Sequence, residues 1–220
     1  MVHARRRRRR AIRPVALTTL LHIDFTLFKA LNDLAAGHDS LVEDPLRFCA
    51  LNLQYAFVGL LAVLFFVTGR WRSVKGRHAV VAAGFSALLA LGLAHVLADV
   101  WTRPRPYVSH PGAHLFIPPS ADSSFPSDHA TAGFAIAVAL FLRHRTAGWI
   151  ALVMATVMSI ARVAVGTHYP ADVLAGAAVG TAAALVLWHP SVREPLRRLA
   201  ELAGRAYDGL LGQLRIPTAR

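Results

Sequence analysis

Five apolar runs, at about 46 to 69, 78 to 101, 128 to 142, 147 to 166 and 171 to 189, occupy most of this 220-residue chain. A helix needs about 20 apolar residues to cross roughly 30 Å of hydrocarbon. Four of the runs meet that length, and the one at 128–142 is short at that limit. The pattern leaves one fold class: an all-α, polytopic membrane helical bundle. With 55% hydrophobic and 16% charged residues and a positive mean hydropathy, the chain lacks the polar exterior of a soluble domain. Cys49 is the only cysteine, which excludes an internal disulfide and a thiolate metal cluster.

The net charge of +12 does not point to nucleic acid, because the basic residues sit at the termini and in short gaps between apolar runs. The gap "GRWRSVKGR" carries Arg70, Arg72, Lys75 and Arg77, and the gap "RHRTA" carries Arg143 and Arg145. Both are expected on the cytoplasmic side. The basic segment 190–220 follows on the same side, with Leu196, Leu199, Leu202, Leu210 and Leu214 at roughly helical spacing, as in an interfacial amphipathic helix.

The N-terminal region is harder to place. Arg5 to Arg10 form a basic tail over residues 1–13, suited to anionic lipid or to a misassigned start. Residues 14–36 contain His22, Asp24, Lys29, Asn32 and Asp33, with Ile23, Leu27, Leu31 and Leu34 on an apolar face. The expectation is an amphipathic helix lying on the membrane surface. A sixth crossing is the alternative and would reconcile the arginines with the positive-inside rule. A cleaved signal peptide is disfavoured, since charge interrupts the apolar stretch. The expected architecture is therefore five spans, or six, with amphipathic helices at both ends and one membrane-embedded domain over 14–189.

Under this topology three polar islands meet at the outer face: "DVWTRPRPY", "FPSDHA" and "ARVAVGTHYPAD". Ionisable groups at membrane depth are costly and usually functional. His168 and Asp172 are four residues apart, so a carboxylate can fix the imidazole tautomer and leave one ring nitrogen free to attack. Pro170 starts the following helix near Ala171, so the pair can also straddle a helix entrance. Arg103, Arg105 and Arg162 offer planar forks for phosphate oxygens. Ser127 and Asp128 open a helix whose free N–H groups suit an anion, and His129 can protonate a departing oxygen. These parts match phosphoryl transfer, in which positioning and charge neutralisation do most of the work.

Each part also has a plainer reading. Ser127 or Asp128 can be an N-cap, and Arg103, Arg105 and His168 can be interfacial residues. Asp128, His129, His168 and Asp172 have no diagnostic metal-ligand spacing, and no cofactor is expected. Gly176 and Gly180 stand at small-xxx-small spacing and are expected to pack helices closely.

The three islands resemble, in order, the signature motifs of the phosphatidic acid phosphatase type 2 superfamily. Arg105 with Pro106 fills the first, Pro126, Ser127 and His129 the second, and Arg162, His168 and Asp172 the third. The resemblance runs from about Asp99 to Gly180. Three positions depart from it: Ala98, or Val96 if Arg103 is taken as the motif arginine, stands where the family has lysine, Asp128 stands for glycine, and Ala161 for serine. "RPRP", "HPGAHLFIPPSADSSFPSDHA" and "VGTHYPADVLAG" are similar more narrowly to bacterial undecaprenyl-pyrophosphate phosphatases of the bacitracin-resistance type. The resemblance implies His168 as a nucleophile forming phosphohistidine, His129 as acid, and no metal. It also implies a multi-pass protein of the plasma (inner) membrane whose site faces the periplasm or exterior. There it would hydrolyse undecaprenyl or decaprenyl pyrophosphate and regenerate a lipid carrier for cell-wall synthesis. With the lysine missing, Arg103 is expected on the diphosphate.

The competing enzyme reading is a phosphatase of phosphatidic acid, phosphatidylglycerophosphate or another prenyl phosphate. Vanadate-dependent haloperoxidases share this type of site but are soluble, against five apolar runs. The non-enzyme reading is a lipid-binding or transport protein with an anion site and no turnover. Nothing in the sequence sets an oligomeric state.

Overall fold

Helix α5 (Asp128–Phe141) is the centre of the molecule, although it is the shortest of the apolar helices. Its Ala130, Thr131, Gly133, Ala135, Ile136, Ala137, Ala139 and Leu140 are all buried. The computed structural model describes residues 15–37, 40–66 and 74–214, and within them the chain is all-helical. Around α5 stand α2 (Ser40–Phe66), α3 (Val74–Val100), α6 (Arg145–Ala164) and α7 (Pro170–Trp188). Helix α1 (Val15–Ala36) leans on α6, α7 and α2, the four-residue α4 (Pro106–Ser109) lies in the loop after α3, and α8 (Pro190–Leu214) returns along α3.

Four helices among the described residues are long and apolar enough to cross a membrane: α2, Gly76–Val100 of α3, α6 and α7. The fifth expected span, α5, has 14 residues. At 1.5 Å per residue that is about 21 Å, short of the hydrocarbon thickness. It is enclosed by α3, α6 and α7, so its apolar surface meets protein rather than lipid. Lipid-facing duty falls to exposed residues such as Leu88, Val96, Val153 and Leu174 on the surrounding helices.

Small residues set the closest helix approach. A Cβ on Gly176 would lie 2.6 Å from the Ser127 carbonyl oxygen, and one on Gly180 would lie 2.3 Å from that of Thr131. The expected close packing is therefore α7 against α5, with no space for a methyl group. Phe57, Leu140 and Met158 fill the core between α2, α5 and α6.

Helix α1 is amphipathic, and the face that carries Asp24 and Asn32 is the one turned to the protein. Asp24, Phe28, Asn32 and Ala35, spaced to share one face, are buried, whereas Ile23, Leu27 and Leu34 are 49%, 52% and 57% exposed. Asn32 donates to the backbone oxygens of His114 and Ala164, 2.8 Å each, and accepts from the His114 N–H. Of the polar residues that argued for a surface helix, Asp24 and Asn32 dock α1 onto the bundle, whereas His22, Lys29 and Asp33 are exposed. Helix α8 follows its expected amphipathic form, with Leu196 buried and Glu194, Arg197 and Glu201 ion-paired along the exposed face. The Arg5–Arg10 tail, Arg70 and Arg72, and the Leu210 and Leu214 side chains lie outside the described residues.

Candidate active site

The loop after α6 needs a sharp reversal to bring His168 under the bundle, and Gly166 supplies it with φ of 90°. Any Cβ there would also stand 2.1 Å from the His114 carbonyl oxygen. The turn seats His168 with only 2% of its surface exposed. Its Nδ1 lies 2.8 Å from the backbone oxygen of Ser124. A carbonyl can only accept, so Nδ1 carries the proton and Nε2 carries the lone pair.

That lone pair faces two guanidinium groups. Arg105 and Arg162 each bring a terminal nitrogen to 3.4 Å from Nε2. Arg105 is held by the Thr167 carbonyl oxygen at 3.0 Å and by the carboxylate of Asp122 at 3.0 Å. Burial drives the His168 pKa well below its ordinary 6.5, and Arg162 and Arg105 push the same way. The ring is thus neutral near pH 7, the state a nitrogen nucleophile requires.

Ser127 is the N-cap residue of α5, but its hydroxyl makes no capping bond. Its Oγ is buried without a partner, as is Nε of Arg162. Buried donors without partners are rare and call for an explanation. The first bond to close onto α5 runs from the Thr131 N–H to the Ser127 carbonyl oxygen, 2.9 Å, so the amides of Asp128, His129 and Ala130 have no intrahelical acceptor. Unpartnered donors, an open helix N-terminus and two arginines around a neutral imidazole are what a phosphoryl group with three anionic oxygens needs. His129 and Asp128, in the first turn of α5, are both partly buried, and His129 is near enough to His168 to contribute to its low pKa. No group of three or more His, Cys, Asp or Glu side chains able to hold a metal ion occurs among the described residues.

Asp172 and Arg103 stand one step back from Nε2. Asp172 does not orient His168 directly: its nearest oxygen is 4.0 Å from Nδ1, beyond hydrogen-bonding distance. Asp172, fully buried on the first turn of α7, accepts instead from Ser124 Oγ at 2.6 Å, from the Tyr169 N–H at 2.8 Å and from Arg103 at 2.7 Å. It holds the Ser124 segment whose carbonyl holds the ring. Arg103 does not join Arg105 and Arg162 at Nε2. Its two terminal nitrogens go to Asp172 and to Asp24 (2.6 Å), and its plane stacks on Tyr169 at 3.7 Å. Both ends of the fork expected on a diphosphate are already engaged by carboxylates.

Ser124, Asp122 and Asp24 went unrecognised from sequence. Ser124 meets His168 through its backbone oxygen, which no residue type announces, while its hydroxyl goes to Asp172. Asp24 sits 79 positions from Arg103, and only its helical register with Phe28 and Asn32 hinted at a buried face.

The chain is similar to known proteins over most of its length. It is 30% identical over 192 residues to the undecaprenyl-diphosphatase BcrC of Bacillus subtilis, covering 87% of this chain and 95% of that one. It is 34% identical over 169 residues to the bacitracin transport permease protein BcrC of Bacillus licheniformis, covering 76% and 80%. Among solved structures, Aquifex aeolicus LpxE superposes with a TM-score of 0.56 at 23% identity, over 74% of this chain and 93% of that one, a likeness of fold. The family model described as PAP2 superfamily matches residues 79–194, a stretch that holds every donor gathered around His168. With four helices among the described residues long and apolar enough to cross a membrane, and relatives of this kind, the chain is a multi-pass membrane protein that belongs to the PAP2 superfamily.

Proposed function

We propose that this protein hydrolyses a polyprenyl pyrophosphate, of the undecaprenyl or decaprenyl class, to the lipid monophosphate and inorganic phosphate. The observation that carries the reading is His168 Nε2, neutral and unprotonated, flanked at 3.4 Å by both Arg105 and Arg162. In the first step Nε2 attacks the terminal phosphorus, an N–P bond forms, and the bridging P–O bond breaks. His129, protonated once the anionic substrate offsets the neighbouring arginines, gives its proton to the departing lipid phosphate oxygen. In the second step His129 takes a proton from water, whose oxygen attacks the phosphohistidine, and the N–P bond breaks. Arg105, Arg162, Ser127 and the first-turn amides of α5 carry the charge of the transferred group.

The substrate class is supported by the undecaprenyl-diphosphatase relative, which aligns over nearly its whole length. The active site is proposed to face the periplasm or cell exterior, since the gaps at 70–77 and 143–145 hold the fixed positive charge. Purified protein supplied with undecaprenyl pyrophosphate should release inorganic phosphate and form a labelled phosphoenzyme. His168→Ala should abolish both. Phosphatidic acid and phosphatidylglycerophosphate, run in parallel, test the glycerophospholipid reading. Bound lipid without phosphate release from any of the three would favour a binding or transport protein.

A further inference from the structure

We propose that Asp24 of α1 is a positioning residue for the catalytic histidine, acting through Arg103 and Asp172; the proposal rests on the reading of His168 as nucleophile. Asp24 touches none of Arg105, Ser127, Arg162 or His168. Its Oδ2 lies 2.6 Å from Arg103, and its Oδ1 accepts the Ala171 N–H at 2.8 Å. The second bond satisfies a free amide of the first turn of α7, next to Asp172. A single carboxylate therefore holds both the cation that Asp172 faces and the backbone from which Asp172 projects. From there the chain of contacts runs from Arg103 to Asp172 at 2.7 Å, from Asp172 to Ser124 Oγ at 2.6 Å, and from the Ser124 carbonyl to His168 Nδ1 at 2.8 Å.

A role in stability alone explains this poorly. Two carboxylates and one guanidinium, with Asp172 fully buried, leave an excess negative charge in a mostly dry place. Such clusters give little net stability relative to apolar packing, and their value lies in fixing geometry. Arg103 is also pinned on its face by Tyr169, the residue that follows His168. Loss of Asp24 releases one arm of Arg103 and lets the Asp172–Ser124 unit shift, and displacement of a nucleophile by a fraction of an ångström is expensive in rate.

The test uses full-length protein in detergent. Asp24→Asn keeps an acceptor for Ala171 and removes the charge opposite Arg103. It should lower kcat on undecaprenyl pyrophosphate roughly ten- to a hundredfold with KM nearly unchanged. Asp24→Glu should recover much of the rate. Asp24→Asn combined with Asp172→Asn should be no slower than Asp172→Asn alone, because both act along one path. Orthovanadate, a mimic of the pentacoordinate phosphorus, is the probe that does not require turnover, and Asp24→Asn should weaken its binding by a similar factor. Wild-type kcat and vanadate affinity in Asp24→Asn, or losses that multiply in the double variant, overturn the proposal. A wild-type protein that binds vanadate but hydrolyses no lipid overturns the phosphatase reading instead, and weaker vanadate binding by Asp24→Asn then still supports the positioning role. If the wild type neither hydrolyses lipid nor binds vanadate, both readings fall.

Discussion

His168 Nδ1 lies 2.8 Å from the carbonyl oxygen of Ser124 and 4.0 Å from the nearest oxygen of Asp172. The ring is therefore oriented by a neutral acceptor, with Asp172 beyond hydrogen-bonding distance. This sets a pH dependence. The unfolded chain protonates this ring near 6.5, whereas burial keeps the folded chain from doing so until well below that value. The folded state then binds fewer protons, and its stability rises with pH across that interval. The contribution is complete above the unfolded value and declines as pH falls below 6.5 toward the folded value. Thermal unfolding from pH 8 down to pH 5 should show this loss, and His168→Gln should flatten it. Equal slopes in the two proteins would show that His168 does not carry it.

Ser127→Ala should separate function from stability. The hydroxyl has no partner in the free protein, so its removal should leave the melting temperature unchanged or slightly raised. A hydrogen bond to a charged phosphate oxygen is worth about 1.5 to 3 kcal/mol. Its loss should reduce kcat/KM roughly ten- to a hundredfold. Phosphate-release kinetics alongside thermal melts decide it, and full activity in Ser127→Ala would place the phosphate elsewhere.

Arg103→Ala should slow hydrolysis of a prenyl pyrophosphate and of the corresponding monophosphate by the same factor, because the damage passes through Asp172 to the nucleophile common to both. The ratio of kcat/KM for the two substrates is the measurement. A loss confined to the pyrophosphate would mean that Arg103 leaves Asp24 and Asp172 to bind substrate.

Gly180→Ala should force α5 and α7 apart, since the new Cβ would meet the Thr131 oxygen at 2.3 Å and the Ala135 nitrogen at 2.8 Å. Overpacking of this kind costs about 1–3 kcal/mol. Gly84→Ala is the control, with nothing within 4 Å of its Cβ. Melting curves in the same detergent should drop for the first and hold for the second.

The proposed orientation is open to thiol labelling. In a Cys49→Ala background, Ala121→Cys in the exposed loop before α5 should react with an impermeant reagent on intact cells. Thr146→Cys at the start of α6 should react only after lysis. The reverse pattern would place the site on the cytoplasmic face.

Much of the site was legible because its chemistry is carried by side chains close in sequence to helix ends. Arg105 and Ser127 stand in the connection from α3 to α5, and Arg162 and His168 at the end of α6 and in the turn after it, two connections that alternating apolar runs must bring to one face. What escaped was of two kinds. Ser124 contributes a carbonyl, and every residue has one. Asp24 was read as polarity facing water because an isolated helix next to a bilayer turns its apolar side to lipid and its polar side away. The structure keeps that rule but replaces water with protein, so Asp24, Asn32 and Phe28 form the docked face. Asp172 was recognised as an orienting residue, and of the two placements its spacing allowed, direct contact or a helix entrance between the pair, the structure has the second. Pro170 starts α7 between them, so the two side chains do not share a helical face.

The contacts of Asp24 also order events during synthesis. Its partners lie 79 and 147 residues further along the chain. At about 5–20 residues per second, roughly 7 to 30 seconds separate the emergence of α1 from that of Ala171. For about the first half of that interval the Asp24 carboxylate has neither Arg103 nor Ala171 to bind, and for the rest it lacks Ala171. Helix α1 is thus made well before α7 and cannot complete its contacts until α7 arrives. The clasping of α1 across the start of α7 is then a late step of assembly, which leaves a chain cut short before α7 without a finished catalytic pocket.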